Sequence, residues 1–323
     1  MKAEQEFVLG IDIGGTFTKL GLIDGSGSIL DSRSFGTQAK LPFPLFLRKL
    51  EKEISHLKSK LKNGQQILAV GVGAPNANFN TGQMEYPPNF KWGDFVPIAS
   101  SIKQILEVPL SITNDANAAA LGELQFGMAK GMKDFVVLTL GTGLGSGIVS
   151  HGTLITGANG MAGELGHVNV FTNGRQCNCG LKGCLETYVS VTGIKRTVFE
   201  LIAEMNIDSL LKKKSFEELT GKEVSEAAHM GDIIALEAFE FTGKILGSKM
   251  ADTAAHLDPE AFILSGGLSQ AGDILLNPIV KSMEENLFKA YKNKIKVFIS
   301  SSPSSHAILG PAALAWQKIG IDQ

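Results

Sequence analysis

Two stretches of this chain share one plan: an apolar run, a glycine turn carrying a threonine, and a second apolar run. The first passes through Asp12-Ile13-Gly14-Gly15-Thr16, and the second runs from Thr139 to Gly145 around Gly141-Thr142-Gly143. Strand, glycine turn and returning strand, met twice, read as an internal duplication of one supersecondary unit. That constrains the fold to two similar halves, and 323 residues suffice for about two domains at roughly 150 residues each.

The first half alternates strands and helices. Phe7–Asp12 reads as a buried strand, Thr18–Ile23 as its hairpin partner, and Ile29–Phe35 as a third run after Asp24-Gly25-Ser26-Gly27. Leu47, Leu50, Ile54, Leu57 and Leu61 recur at the spacing of an amphipathic helix. Ile67–Gly73 reads as a strand, Pro75–Trp92 as a long loop, Val96–Glu107 as a helix, Pro109–Thr113 as a strand, and a helix opens at Asp115. The second half begins with Phe135–Gly141 and Gly145–Ser150, continues through mostly helical sequence with a long helix near Ile233–His256, and adds strands at Ala261–Leu264 and Ile295–Ser300. This succession predicts an α/β fold. The run Lys212-Lys213-Lys214 reads as a solvated face.

All three cysteines fall in Cys177-Asn178-Cys179-Gly180-Leu181-Lys182-Gly183-Cys184, with His167 upstream. Three thiolates and one imidazole make the ligand set of a closed, tetrahedral zinc site, which leaves no place for water or substrate. The expected role is architectural. A reactive or redox thiol is the competing reading, although Gly180 and Gly183 offer the unhindered backbone that a tight reversal around an ion requires.

Composition narrows the function classes. A formal charge of −2 gives no footprint for nucleic acid. No apolar run approaches the roughly 18 residues of a membrane span, and the polar start before the first strand shows no secretory signal. With thiols available for a metal, the expected compartment is the cytoplasm. Apolar residues make up 44% of the chain, enough for a sizeable core in each half.

Both glycine turns expose backbone amides able to wrap phosphate oxygens, and Asp12 at a strand end can hold hydrated Mg²⁺. Ser265-Gly266-Gly267 supplies a third such turn. Each taken singly also reads as a plain tight turn, and none has a Walker A or dinucleotide pattern. Asn114-Asp115-Ala116-Asn117 joins a strand to an alanine-rich helix, where one of the polar residues is expected to cap the helix. The same place, the C-terminal end of a sheet strand, is where α/β proteins carry catalytic groups. With Glu164, His167 and Glu186, the carboxylates, amide and imidazole suit a polyhydroxylated ligand, a sugar.

These pieces together resemble the ROK family of repressors, open reading frames and sugar kinases, over nearly the whole chain. The resemblance rests on Asp12-Ile13-Gly14-Gly15-Thr16, Asn114-Asp115-Ala116-Asn117, Leu140–Gly147, Gly163-Glu164-Leu165-Gly166-His167 and the Cys-x-Cys-Gly-x-x-Gly-Cys-Leu-Glu segment. It implies an actin-like ATPase fold of the hexokinase and ribonuclease H type, with two αβ domains around a central cleft, and a homodimer. The small domain is expected to take residues 1–117 and a C-terminal helix at about 306–323, and the large one 118–305.

The resemblance also implies roles. Asp115 is the general base; Asn89, Asn114, Asp115, Glu164, His167 and Glu186 bind the sugar; His167, Cys177, Cys179 and Cys184 hold Zn²⁺. Asp12, Gly14, Gly15, Thr16, Lys19, Gly141, Thr142, Gly143, Gly266 and Gly267 serve ATP and its Mg²⁺. The expected reaction moves the γ-phosphate of MgATP to the 6-hydroxyl of an aldohexose, most directly glucose. Alternatives are N-acetylglucosamine, N-acetylmannosamine, mannose or fructose, and a non-catalytic sugar sensor. A DNA-reading repressor is not expected, because six residues before the first strand leave no room for a helix-turn-helix domain. The chain departs from the family pattern at Gly73-Ala74-Pro75-Asn76, where kinases tend to carry Gly-x-Pro-Gly. Pro311 also falls where one helix would run from His306 to Lys318, so that helix is expected to begin at Gly310-Pro311.

Overall fold

The computed structural model describes residues 6–301 and 307–321. In chain order the elements are β1 (Glu6–Ile13), β2 (Phe17–Ile23), β3 (Ile29–Gly36), α1 (Phe43–Lys58), β4 (Gln66–Gly73), β5 (Met84–Glu85), β6 (Phe95–Val96), α2 (Ile98–Ile105), β7 (Leu110–Thr113) and α3 (Asp115–Phe126). There follow β8 (Phe135–Leu140), β9 (Leu144–Ser150), β10 (Thr153–Leu154), α4 (Glu186–Val189), α5 (Val191–Met205), α6 (Gly221–His229), α7 (Ile233–Leu257), β11 (Ala261–Ser265), α8 (Asp273–Asn286), β12 (Lys296–Ile299) and α9 (Leu309–Ile321). Of the described residues, one compact unit takes those up to Gly131, Leu154–Ala162 and those from Ser301 on; the rest form a second unit.

The sheet of the first unit has the order β3-β2-β1-β4-β7. β2 runs antiparallel to β1 and β3, whereas β1, β4 and β7 are mutually parallel. Side chains alternate across a strand. In β1, Phe7, Leu9, Ile11 and Ile13 therefore pack with Phe46, Leu50, Ile54 and Leu57 of α1. Val8, on the opposite face, packs with Ile308, Ala312 and Ala315. Strands covered on both faces read as continuous apolar runs, which is what the sequence of β1 shows.

α9 reaches this second face through a row of glycines. Gly10 is in register with Gly21 on one side and Gly71 on the other. A Cβ at Gly71 would stand 1.8 Å from the Pro311 carbonyl oxygen, and one at Gly10 would stand 2.4 Å from that of Ile308. The start of α9 thus lies directly on bare strand backbone. The helix begins at Leu309, so Pro311 falls in its first turn, where a missing N–H sacrifices no helical bond. His306, the expected first residue of that segment, lies outside the described residues, as do Asp322 and Gln323.

α3 also packs on α9, with Leu121 against Ala313 and Leu314. This contact groups α3 with the first compact unit, which runs to Gly131. Leu154–Ala162 joins the same unit because buried Asn78 donates to the Asn159 carbonyl at 2.8 Å and Asn80 donates to that of Ala158 at 3.1 Å. The stretch read as a loop from Pro75 to Trp92 contains β5, which pairs antiparallel with β6.

The sheet of the second unit is ordered β10-β9-β8-β11-β12. β8 is antiparallel to β9 and parallel to β11, which is parallel to β12. Numbered within each sheet, both read 3-2-1-4-5, so the repeated hairpin heads two like sheets. The helical stretch after the cysteines breaks at Ser190, whose side chain caps α5 by accepting from the Gly193 amide. The lysine run is exposed as expected, with Lys214 paired to Glu223 at 2.5 Å. No helix among the described residues is long and apolar enough to cross a membrane.

Candidate active-site groups

In the first unit the site residues gather by strand register. Asp12 follows Val8 and Gly10 on the face that α3 and α9 cover, and it lies in register with Lys19 on β2 and Gly73 on β4. A Cβ at Gly73 would be 4.0 Å from the Asp115 Cα, which places the head of α3 beside Asp12. The Asp12 pKa is raised to about 7, by burial first and then by the charge of Asp115, with that of Lys19 opposing. Lys19 is therefore an electrostatic partner of Asp12.

The competing reading of Asn114-Asp115 as a helix cap resolves residue by residue. Asn114 is the cap, with Oδ1 accepting from the Asn117 amide at 2.7 Å. Asp115 is the first helical residue and is freed from that duty. Its carboxylate accepts from the Ala116 amide at 2.9 Å, beside the positive end of the helix dipole. The side chain is reached by solvent, yet the protein crowded around it raises its pKa by burial, against the lowering effect of the amide bonds. Two buried oxygens without hydrogen-bond partners, Thr113 Oγ1 and Asn117 Oδ1, flank it in sequence.

The turn Gly14-Gly15-Thr16 is closed by the Gly14 amide donating to the Phe17 carbonyl at 3.0 Å. Thr37 fastens it from beneath. Its hydroxyl donates to the Gly14 carbonyl at 2.7 Å and its amide to that of Thr16 at 2.9 Å. Sequence reasoning missed Thr37, because a lone threonine at a strand end carries no pattern. Asn89 stands exposed between β5 and β6 with left-handed backbone, φ 67°. Asn76, where the family pattern has glycine, is left-handed too (φ 51°), so the departure keeps the backbone that glycine favours. Its amide donates to the Tyr86 carbonyl at 3.1 Å.

The second unit brings its predicted pieces together. Gly141-Thr142-Gly143 is closed by the Gly141 amide on the Gly143 carbonyl at 3.0 Å. A Cβ at Gly266 would meet the Leu140 carbonyl oxygen at 2.6 Å, so the turn at Ser265-Gly266-Gly267 lies against the start of this one. The Glu186 carboxylate accepts from the Leu144 amide at 3.0 Å, and a Cβ at Gly143 would stand 2.2 Å from its Oε2. Only a residue without a side chain leaves room for that approach. Gly163–His167 is tied to the same strand: the Ser146 hydroxyl donates to the Gly163 carbonyl and accepts from the Leu165 amide. Glu164, His167 and Glu186 thus surround one hairpin.

His167, Cys177, Cys179 and Cys184 offer one ligand atom each, all within 4.8 Å of one another. Cys179 and Cys184 sulfurs are 3.7 Å apart, and Cys177 Sγ is 3.9 Å from His167 Nδ1. A tetrahedron with Zn–S bonds of about 2.3 Å has edges of about 3.8 Å, so the donor set fits zinc in number, chemistry and spacing. Burial pushes the Cys177 thiol up to about 12, with Glu186 adding to the effect. Gly183 has φ 75°, and a Cβ there would lie 1.8 Å from the Phe171 carbonyl oxygen, so the expected tight reversal is present.

Arg175, also missed from sequence, locks this segment to the helices. It donates to the carbonyls of Thr187 and Gly193 at 2.8 and 3.1 Å, pairs with Glu200, and stacks 4.6 Å over the Tyr188 ring.

Two five-stranded sheets of like order, each opening on a glycine–threonine hairpin turn, define the actin-like ATPase fold. Residues 8–318 match the ROK family, and the chain belongs to it. A glucokinase of Halalkalibacterium halodurans is 35% identical, covering 97% of this chain and 96% of its own. A Thermotoga maritima glucokinase is 33% identical over 97% of this chain and 98% of its own. Among solved structures, a ROK family glucokinase from Streptomyces griseus in complex with glucose and AMPPNP has a TM-score of 0.79 at 33% identity, over 96% of this chain and 99% of that one.

Proposed function

We propose that this protein is an ATP-dependent hexose kinase with glucose as its acceptor, transferring the γ-phosphoryl group of MgATP to the 6-hydroxyl. The observation that carries this reading is Asp115: a carboxylate at the end of a sheet strand, released from capping by Asn114 and raised in pKa by its surroundings. The names of the ROK relatives support the same reaction.

In this reading Asp115 takes the proton of the 6-hydroxyl as its oxygen attacks the γ-phosphorus, and phosphorus–oxygen cleavage releases ADP. Little covalent work falls to the protein; positioning and charge stabilisation supply most of the rate. Asn89, Asn114, Glu164, His167 and Glu186 bind sugar hydroxyls. The arrangement Nδ1 to Cys177 leaves His167 Nε2 for a hydroxyl. Glu186 retains lone pairs beyond the one given to Leu144. Gly14, Gly15, Thr16, Gly141, Thr142 and Gly143 cradle phosphates, Asp12 with Lys19 places the magnesium of the nucleotide, and Gly266 and Gly267 lie under the nucleoside.

His167, Cys177, Cys179 and Cys184 would hold a structural Zn²⁺, which stiffens the segment carrying His167 and Glu186. Thiols kept for a metal imply a reducing compartment, the cytoplasm, and we assign the enzyme there as a homodimer acting on sugar and ATP, without nucleic acid or membrane partners.

The test is ADP release with MgATP across glucose, mannose, N-acetylglucosamine, N-acetylmannosamine and fructose, with Asp115→Asn as control. Turnover on glucose that the variant loses supports the assignment. A higher kcat/KM on one of the other sugars reassigns the acceptor, and no turnover from folded, metal-loaded protein overturns the kinase.

A further inference from the structure

The Gly141–Gly143 turn is fastened from outside by the start of α5. The Val191 amide donates to the Gly141 carbonyl at 2.8 Å, and the Thr192 hydroxyl donates to the Thr142 carbonyl at 2.9 Å. A trans peptide holds its C=O and its N–H on opposite sides of one plane. With both carbonyls turned to α5, the amides of the same two peptide planes, Thr142 N–H and Gly143 N–H, face the other way. Val191 contributes through its backbone, which every residue but proline could supply. Thr192 contributes through its side chain, which few could.

We infer that Thr192 is a positioning residue for the nucleotide: by holding the Thr142 carbonyl, its hydroxyl sets the direction in which the Gly143 amide is offered to a phosphate oxygen. The inference rests on the reading of this turn as a phosphate cradle. α5 follows the cysteine segment directly, and Glu186 at the head of α4 grips the Leu144 amide on the other side of the turn. The segment that carries the metal ligands therefore also shapes the phosphate turn, and Thr192 is the one of those shaping residues that acts through its side chain with no contact of its own proposed to sugar, nucleotide or metal.

Thr192→Val keeps size and branching but removes the donor, and Thr192→Ser keeps the donor. Losing one hydrogen bond corresponds to an expected rise of about 3–10-fold in KM for MgATP. KM for glucose, bound metal and melting temperature should stay at wild-type values, and Thr192→Ser should restore KM for MgATP. A merely structural threonine would instead shift both KM values with the melting temperature, and that result, like an unchanged KM for MgATP in Thr192→Val, overturns the proposal. Hydrogen exchange in wild-type enzyme with and without AMPPNP separates the two layers. Without protection of the Thr142 and Gly143 amides the cradle reading falls, and this proposal with it. With protection and no KM effect in Thr192→Val, only the role of Thr192 falls.

Discussion

Asp115, at the head of α3, lies close enough to Asp12, at the end of β1, for its negative charge to raise the Asp12 pKa. Burial contributes more and Lys19 opposes, for a value of about 7. An acid that holds its proton more tightly when folded contributes most stability below its unfolded pKa, near 4, and loses that contribution as pH rises through about 7. Ligand-free Asp12→Asn should therefore melt above wild type at pH ~8, with the gain gone at pH ~4. Thermal melts across that range check this; a gain independent of pH would mean that Asp12 is not held protonated.

Asp115→Asn should lower kcat by about 10²–10⁴-fold, the range for loss of a general base, with the circular dichroism spectrum unchanged. Because a base works only when ionised, and burial raises the pKa of this one, the acid limb of kcat/KM should lie above the ordinary carboxylate range. The pH–rate profile of wild type tests this directly.

Gly71→Ala drives a Cβ into the Pro311 carbonyl oxygen. Backbone yields less readily than a side chain, so the cost should reach or exceed the ~1–3 kcal/mol of ordinary overpacking. Urea unfolding should show a lower midpoint, with Gly15→Ala, where a Cβ meets nothing within 4 Å, close to wild type.

Elemental analysis should find one zinc per chain, and Cys184→Ser should lose it. Metal removal should lower the melting temperature and raise KM for sugar, because His167 and Glu186 sit on the segment the ion would stiffen. Readdition of zinc should restore both in wild type alone.

Most strands and the long helix were legible because apolar runs and helical spacing report burial, which is local to each element. The glycine turns, the place of Asp115 at a strand end and the clustering of the cysteine–histidine set were legible because they follow from residue type and spacing. What escaped depends on distant partners. Thr37, Arg175 and Thr192 act through carbonyls of other segments, and nothing in their neighbourhood announces it. The packing of α3 on α9 through Leu121 escaped for the same reason, since its partners Ala313 and Leu314 lie far along the chain. The short β5–β6 pair escaped because two-residue strands have no periodicity to read.

The row Gly21, Gly10 and Gly71 has a consequence for synthesis. Those three strands precede the second unit in the chain, whereas the helix that covers their bare backbone follows it. Until α9 emerges, the face of the first sheet that carries Val8, Ile23 and Ala69 lacks the packing of Ile308, Ala312 and Ala315. The second unit, Met132–Thr153 with Gly163–Ser300, has its own sheet and is complete before α9 is made, so it can finish folding first. The first sheet therefore gains its second cover only after the intervening second unit has been made.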